Sequence, residues 1–244
     1  MTGSEIAPRA ILLDIEGTTT PISFVTEKLF PYARRHGRDF ILSHLHDGEI
    51  EAALRQLQAE NAGDGTDGAR AAEKCSPNAV EETIQYYLWL IDVDRKSTPL
   101  KTIQGRIWEG GYARGDLQSD IFPDVFPALK RWRRQGMLNA IYSSGSVLAQ
   151  QQLFRHTVEG DLTPLIDAYF DTRVGNKRQA DSYRKIAVNL KLLPNDVLFV
   201  SDVTAELDAA LETGMRTALC VRPGNPSSPD RPSHPAIRSF EELV

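Results

Sequence analysis

The sequence predicts an α/β fold in which a mostly parallel sheet is interrupted after its first strand by an all-helical insertion. Three observations predict it. Short apolar runs recur at 10–15, 138–143, 168–174, 196–201 and 217–222, each the length of a strand buried on both faces. Stretches of helical length separate the later runs, at 123–135, 146–156, 181–190 and 204–213, which is the rhythm of βαβ units. Between residue 22 and about residue 120 no convincing strand occurs, only amphipathic runs.

The first run, AILLDI, ends in an acid, and DIEGTTTP follows it. The next stretch, about 24–46, is helical in pattern but carries Pro31, which should kink or split it. Further helices are expected at 49–61, 78–94 and about 97–114, with a Gly/Asp-rich loop at 62–69. Within the last of these helices, Gln104, Trp108 and Tyr112 fall on one face, either as packing or as the lining of a substrate cleft. The helix at 204–213 stops at Gly214. Residues 223–235 are too rich in proline for a regular element. The expected division is a Rossmann-like core of residues 1–20 and 116–244, and a helical cap of residues 21–115.

Composition narrows the function classes. The 244 residues are 41% hydrophobic and 25% charged, ordinary for a globular chain with a buried core. A formal net charge of -5 gives no electrostatic reason to dwell on nucleic acid or an anionic membrane. No apolar run reaches membrane-spanning length, and residues 1–9 lack a secretory apolar core, so the cytoplasm is the expected location. Cys75 and Cys220 stand far apart, which suits neither a disulfide scaffold nor a zinc site. The five histidines are scattered, and the His44–His46 pair reads as solvated helix residues. A monomer is expected, since core and cap would bury one another's faces.

In an open parallel sheet, ligands bind beyond the carboxyl ends of the strands. Asp14 and Glu16 close the first strand, Ser143 and Ser144 the second core strand in IYSSGS, and Asp202 the strand in LFVSD, while Lys177 lies in the loop GNKRQADSY. Together these types suit phosphoryl transfer. A carboxylate such as Asp14 attacks phosphorus and forms an aspartyl-phosphate, splitting one hard hydrolysis into two easier steps. Its repulsion by a phosphate dianion calls for cations: Lys177, and a Mg²⁺ ion on Asp14 and Asp202. Hydroxyl and N–H groups of SSGS would hold phosphoryl oxygens as a helix begins. Glu16, two residues from Asp14 along an extended backbone, would point the same way and serve as acid/base. Taken singly, each has a plainer reading: a turn or helix cap for the acids and serines, a surface residue for Lys177, and for Asp202 and Glu206 a favourable charge at a helix start.

These motifs, in this order, resemble the haloacid dehalogenase superfamily of phosphohydrolases. Within it the similarity is greatest to the enolase-phosphatases of methionine salvage. LLDIEGTTTPISFVTEKLFPYA, LKTIQGRIWEGGY, IYSSGSVLAQ, GNKRQADSYRKIA and LFVSDVTAELDAALETGM carry the resemblance, which extends from Ile11 to about Arg222 and again at IRSFEEL. The general superfamily pattern has aspartate as its second acid, whereas this chain has Glu16, as the narrower group does. The resemblance implies Mg²⁺ as cofactor and 2,3-diketo-5-methylthiopentyl-1-phosphate as the small phosphorylated substrate. It implies enolisation and then dephosphorylation to the acireductone. It implies Asp14 as nucleophile and metal ligand, Glu16 as metal ligand and acid/base, Asp202 as metal ligand, and Ser143, Ser144 and Lys177 on substrate. The residues alone reach a phosphomonoester hydrolase with a helical cap, so another sugar or polyol phosphate stays open as substrate. A phospho-accepting signalling module would need neither cap nor Glu16.

Overall fold

A computed structural model describes residues 7–63, 79–95, 97–225 and 233–243. The chain divides into two compact units, one of residues 1–25 with 118–244 and one of residues 26–117.

Among the described residues, the first unit is built on six strands: β1 (Ala10–Leu13), β2 (Leu138–Tyr142), β3 (Ala168–Phe170), β4 (Val197–Ser201), β5 (Arg216–Cys220) and β6 (Ala236–Ile237). All neighbours pair in parallel, in the order β3-β2-β1-β4-β5-β6. Alternate residues Ala10 and Leu12 of β1 pack with Tyr142, Phe199, Tyr183 and Leu207 on one face, while Ile11, Leu13, Ile141 and Val200 are buried as well. Burial on both faces explains why these strands read as continuous apolar runs. β6 is only two residues long and follows the proline-rich stretch, so it carries no strand signal of its own. His234 is 2% exposed. Its ring lies 2.8 Å from the Thr217 hydroxyl and 2.9 Å from Asp208, which docks the return to β6.

Among the described residues, the second unit contains four α-helices: α1 (Phe30–Ser43), α2 (Gly48–Gly63), α3 (Ala79–Asp92) and α4 (Thr98–Arg114). The stretch expected to kink at Pro31 is split: a π-helical run occupies Phe24–Leu29, and Pro31 sits in the first turn of α1, where its missing N–H is harmless. Helix α2 runs through Gly63, and the rest of the loop expected at 62–69 lies outside the described residues, as does Cys75. Ile41, Ile50, Leu57, Ile84, Tyr87, Leu90 and Ile103 are buried in this unit. Gln104, Trp108 and Tyr112 are buried there too, Trp108 stacking on Phe30 and donating its indole N–H to the Leu29 carbonyl at 2.8 Å. For Trp108 these contacts are packing within the unit. Among the described residues, no helix is long and apolar enough to cross a membrane.

The first unit's helices are α5 (Val125–Arg134), α6 (Val147–Arg155), α7 (Ala180–Leu190) and α8 (Thr204–Leu211).

Candidate active site

In this strand order the chain steps outward from β1 through β2 to β3, then returns to the other side of β1 with β4. The crevice beyond the carboxyl ends of β1 and β4 is therefore the switch point where such sheets take ligands. Leu13 of β1 pairs with Val200 of β4, so Asp14 and Ser201 emerge side by side, followed by Asp202. The Asp14 N–H donates to the Val200 carbonyl at 3.0 Å.

Asp14 is 5% exposed, and both carboxylate oxygens are engaged. One accepts from the Ile15 N–H at 2.7 Å and meets the Lys177 ammonium at 2.7 Å; the other accepts from the Ser201 hydroxyl at 3.0 Å. Lys177 also reaches Glu206 at 2.6 Å, and the Ser201 hydroxyl lies 3.3 Å from the same Glu206 oxygen. The lysine is held from behind. The Tyr183 hydroxyl donates to its carbonyl at 2.6 Å, and Asn176 closes a turn by accepting from the Arg178 N–H at 2.9 Å.

Electrostatics follow from burial. Desolvation alone would push the Lys177 pKa down, but Asp14 and Glu206 outweigh it and raise it, so the ammonium stays charged. Burial and the nearby Asp14 charge raise the pKa of Glu206, with Lys177 acting against them. Asp202 is pushed up to about 7, first by burial and then by the Asp14 carboxylate.

After Asp14 the backbone does not continue as a strand. The Ile15 carbonyl accepts from the N–H groups of Thr18, Thr19 and Thr20 at 3.2, 2.9 and 2.9 Å, a tight turn that Gly17 enters at φ +70°. This corrects the expectation of an extended backbone through Glu16: β1 ends at Leu13, and Glu16 is exposed on the turn while Asp14 is buried. A Cβ on Gly17 would collide with the Asp202 carboxylate, so glycine is needed both for its backbone angle and for this close approach.

Ser143 follows β2 and is buried; its hydroxyl accepts from the Gly145 N–H at 3.1 Å, and its own N–H donates to Phe170 at 3.2 Å. Ser144 is half-buried beside it. Ser146, not Ser143 or Ser144, caps α6, accepting from the Ala149 N–H. Gln150 braces the loop by donating to Gly145 at 2.8 Å and Phe170 at 2.9 Å.

The structure thus brings Asp14, Lys177 and Ser201 into one hydrogen-bonded cluster with Asp202 electrostatically coupled to it. Sequence reasoning left out Ser201 and also Glu206, which it set aside as a helix-start acid. For Glu206 the signal is its spacing: four residues after Asp202 in the first turn of α8, it faces back toward the strand end. Three carboxylates, Asp14, Asp202 and Glu206, stand against the one ammonium of Lys177, an excess of acidic groups that suits a cation. The carboxylate held against Gly17 and the raised Asp202 pKa fit a cation at this edge. Among the described residues, no three His, Cys, Asp or Glu side chains group closely enough to enclose a metal by themselves.

This sheet order and this acid-lysine edge define a class of hydrolase. The family described as haloacid dehalogenase-like hydrolase matches residues 8–214, and the chain belongs to that family. Its curated relatives narrow the membership to the enolase-phosphatases. The chain is 48% identical over 233 residues to enolase-phosphatase E1 of Synechococcus elongatus, covering 96% of each chain. It is 39% identical to enolase-phosphatase E1 of Xenopus tropicalis, covering 96% of this chain and 93% of that one. Among solved structures, the UTR4 protein of Saccharomyces cerevisiae superposes with a TM-score of 0.77 at 33% identity, over 97% of this chain and 100% of that one. CbbY of Rhodobacter sphaeroides in complex with phosphate, at 17% identity and a TM-score of 0.58 over 96% of each chain, shares the fold.

Proposed function

We propose that the chain is a Mg²⁺-dependent enolase-phosphatase that converts 2,3-diketo-5-methylthiopentyl-1-phosphate and water to 1,2-dihydroxy-3-keto-5-methylthiopentene and phosphate. The observation that carries this reading is the buried contact of Asp14 with Lys177, at the switch point of a chain so similar to enolase-phosphatases over nearly its whole length.

Asp14 is the nucleophile. Hydrogen bonds at both of its oxygens fix the carboxylate plane, and Lys177 offsets the repulsion between it and an incoming phosphate dianion. Ser143, Ser144 and the backbone N–H groups of their loop bind phosphoryl oxygens, and Lys177 contributes to the same binding. Attack forms a phosphorus–oxygen bond to Asp14 and breaks the bond to the ester oxygen; water then releases phosphate and regenerates the carboxylate. Asp14, Glu16 and Asp202 are the groups that would hold Mg²⁺, whose charge would neutralise the phosphoryl oxygens. Glu16, exposed on its turn, exchanges protons with substrate: it protonates the leaving oxygen in dephosphorylation. For enolisation, a proton leaves the carbon next to the carbonyl and one is gained by the carbonyl oxygen.

In this reading the helical unit, expected from sequence as residues 21–115, is the cap that excludes water and shapes specificity. The enzyme works as a monomer in the cytoplasm on a small phosphorylated metabolite, without nucleic acid or membrane partners. The test is phosphorus and proton NMR of the diketo phosphate with enzyme and Mg²⁺. Inorganic phosphate and the acireductone should appear together with exchange of the carbon-bound proton. Release of phosphate from simple sugar phosphates in preference to the diketo compound would contradict the assignment.

A further inference from the structure

The turn after β1 is gripped from the far side by the exit of β5. Two successive carbonyls, those of Gly17 and Thr18, each accept from a side chain of that exit. Asn225 donates its amide to the Gly17 carbonyl at 2.9 Å, and Arg222 donates Nε to the Thr18 carbonyl at 3.2 Å. The Asn225 N–H closes on the Arg222 carbonyl at 3.2 Å, so the two side chains share one turn.

Arg222 is an expensive way to hold one carbonyl. It forms a buried ion pair with Asp124 at 2.8 Å and donates to the Arg238 carbonyl at 3.0 Å, with the Phe122 and Phe240 rings 4.5 and 4.7 Å from its guanidinium. The same Asp124 oxygen accepts from the Phe240 N–H at 2.6 Å, and the second Arg222 terminal nitrogen is buried without a hydrogen-bond partner among the described residues. Buried ion pairs contribute little net stability once desolvation is counted, so geometry is the better account of this one. The amide of Asn225 has a defined orientation because its NH₂ group faces two carbonyls, Gly17 and Cys220, the latter at 3.4 Å.

We propose that Arg222 and Asn225 are positioning residues that clasp the turn carrying Glu16 and Gly17 and so fix it against Asp202. A loop loosened by one hydrogen bond would let Gly17 drift from the Asp202 carboxylate and move Glu16 with it. The effect on turnover rests on the function proposed above; the effect on the loop does not.

The test is hydrogen exchange and steady-state kinetics on Asn225→Ala. Amides of residues 15–20 should exchange about tenfold faster, as expected for losing one hydrogen bond, while Ile11–Leu13 keep wild-type rates. The kcat should fall about tenfold with KM within about twofold. Arg222→Lys, which keeps a cation beside Asp124 but loses the Nε donor, should show the same pattern. Unchanged exchange at 15–20, acceleration spread equally over β1 and β4, or a raised KM with normal kcat would each overturn the proposal. Kinetics are run on both the diketo phosphate and p-nitrophenyl phosphate. A wild-type enzyme that hydrolyses only the second sinks the substrate assignment, while exchange still decides the clasp.

Discussion

Lys177 and Asp14 are 163 positions apart in sequence, yet the ammonium of one lies 2.7 Å from a carboxylate oxygen of the other, both nearly out of contact with solvent. Removing the lysine leaves Asp14 and Glu206 facing each other without their shared cation. Lys177→Ala should therefore lower kcat by about 10²–10³-fold, the size of losing a main electrostatic stabiliser. It should also lower the unfolding free energy by about 3 kcal/mol, because a broken buried pair strands a charge. Steady-state kinetics and urea unfolding measure the two.

Asp14→Asn should separate chemistry from stability. The amide can turn its oxygen toward the Ile15 N–H and Lys177 and its nitrogen toward Ser201, whose hydroxyl then donates to Glu206. Turnover should fall ~10⁴-fold or more, as for other removed nucleophiles. Urea unfolding should remain within about 1 kcal/mol of wild type, since like-charge repulsion with Asp202 is relieved.

Acidity should act on the metal-free protein in the direction set by Asp202. Its carboxyl is raised from 3.8 in the open chain to about 7 in the fold, so the folded state holds the proton more tightly. The associated stability is present below the open-chain value and lost as pH rises through about 7. In EDTA, the thermal midpoint should be higher near pH 5.5 than near pH 8, on either side of that folded value. Added Mg²⁺ should raise the midpoint more at the higher pH, where the carboxylate is free to bind. Thermal unfolding at the two pH values, with and without Mg²⁺, checks both signs.

Glu206→Gln tests a residue that sequence reasoning passed over. Lys177 keeps its contact with Asp14 and loses one of its two anionic partners. The expected result is a kcat about tenfold lower with little change in KM, the scale of one charge-assisted hydrogen bond that orients a catalytic group. A loss as large as that for Lys177→Ala would mean Glu206 takes part in the chemistry itself.

The sheet was legible because its strands are buried on both faces and read as unbroken apolar runs; β6, two residues behind a proline-rich stretch, leaves no such trace. Asp14, Ser143, Lys177 and Asp202 were legible as polar residues at or near predicted strand ends. Glu16 shows the limit of that logic. Period-two alternation holds only while the backbone is extended, and the Ile15 carbonyl gathers three N–H groups one residue after Asp14. Glu206 was hidden for a different reason: an acid in the first turn of a helix already has a sufficient local explanation, and only the fold shows it meeting Lys177. Arg222 and Asn225 gave no signal, because the carbonyls they hold are some 200 positions away in sequence.

The most direct measurement is mass spectrometry of enzyme acid-quenched within one turnover of the diketo phosphate and Mg²⁺. A phosphoryl group on the peptide containing Asp14, absent from the Asp14→Asn variant, is the predicted result. Turnover at full rate with no phosphorylated peptide, or with phosphate on any other residue, would contradict it.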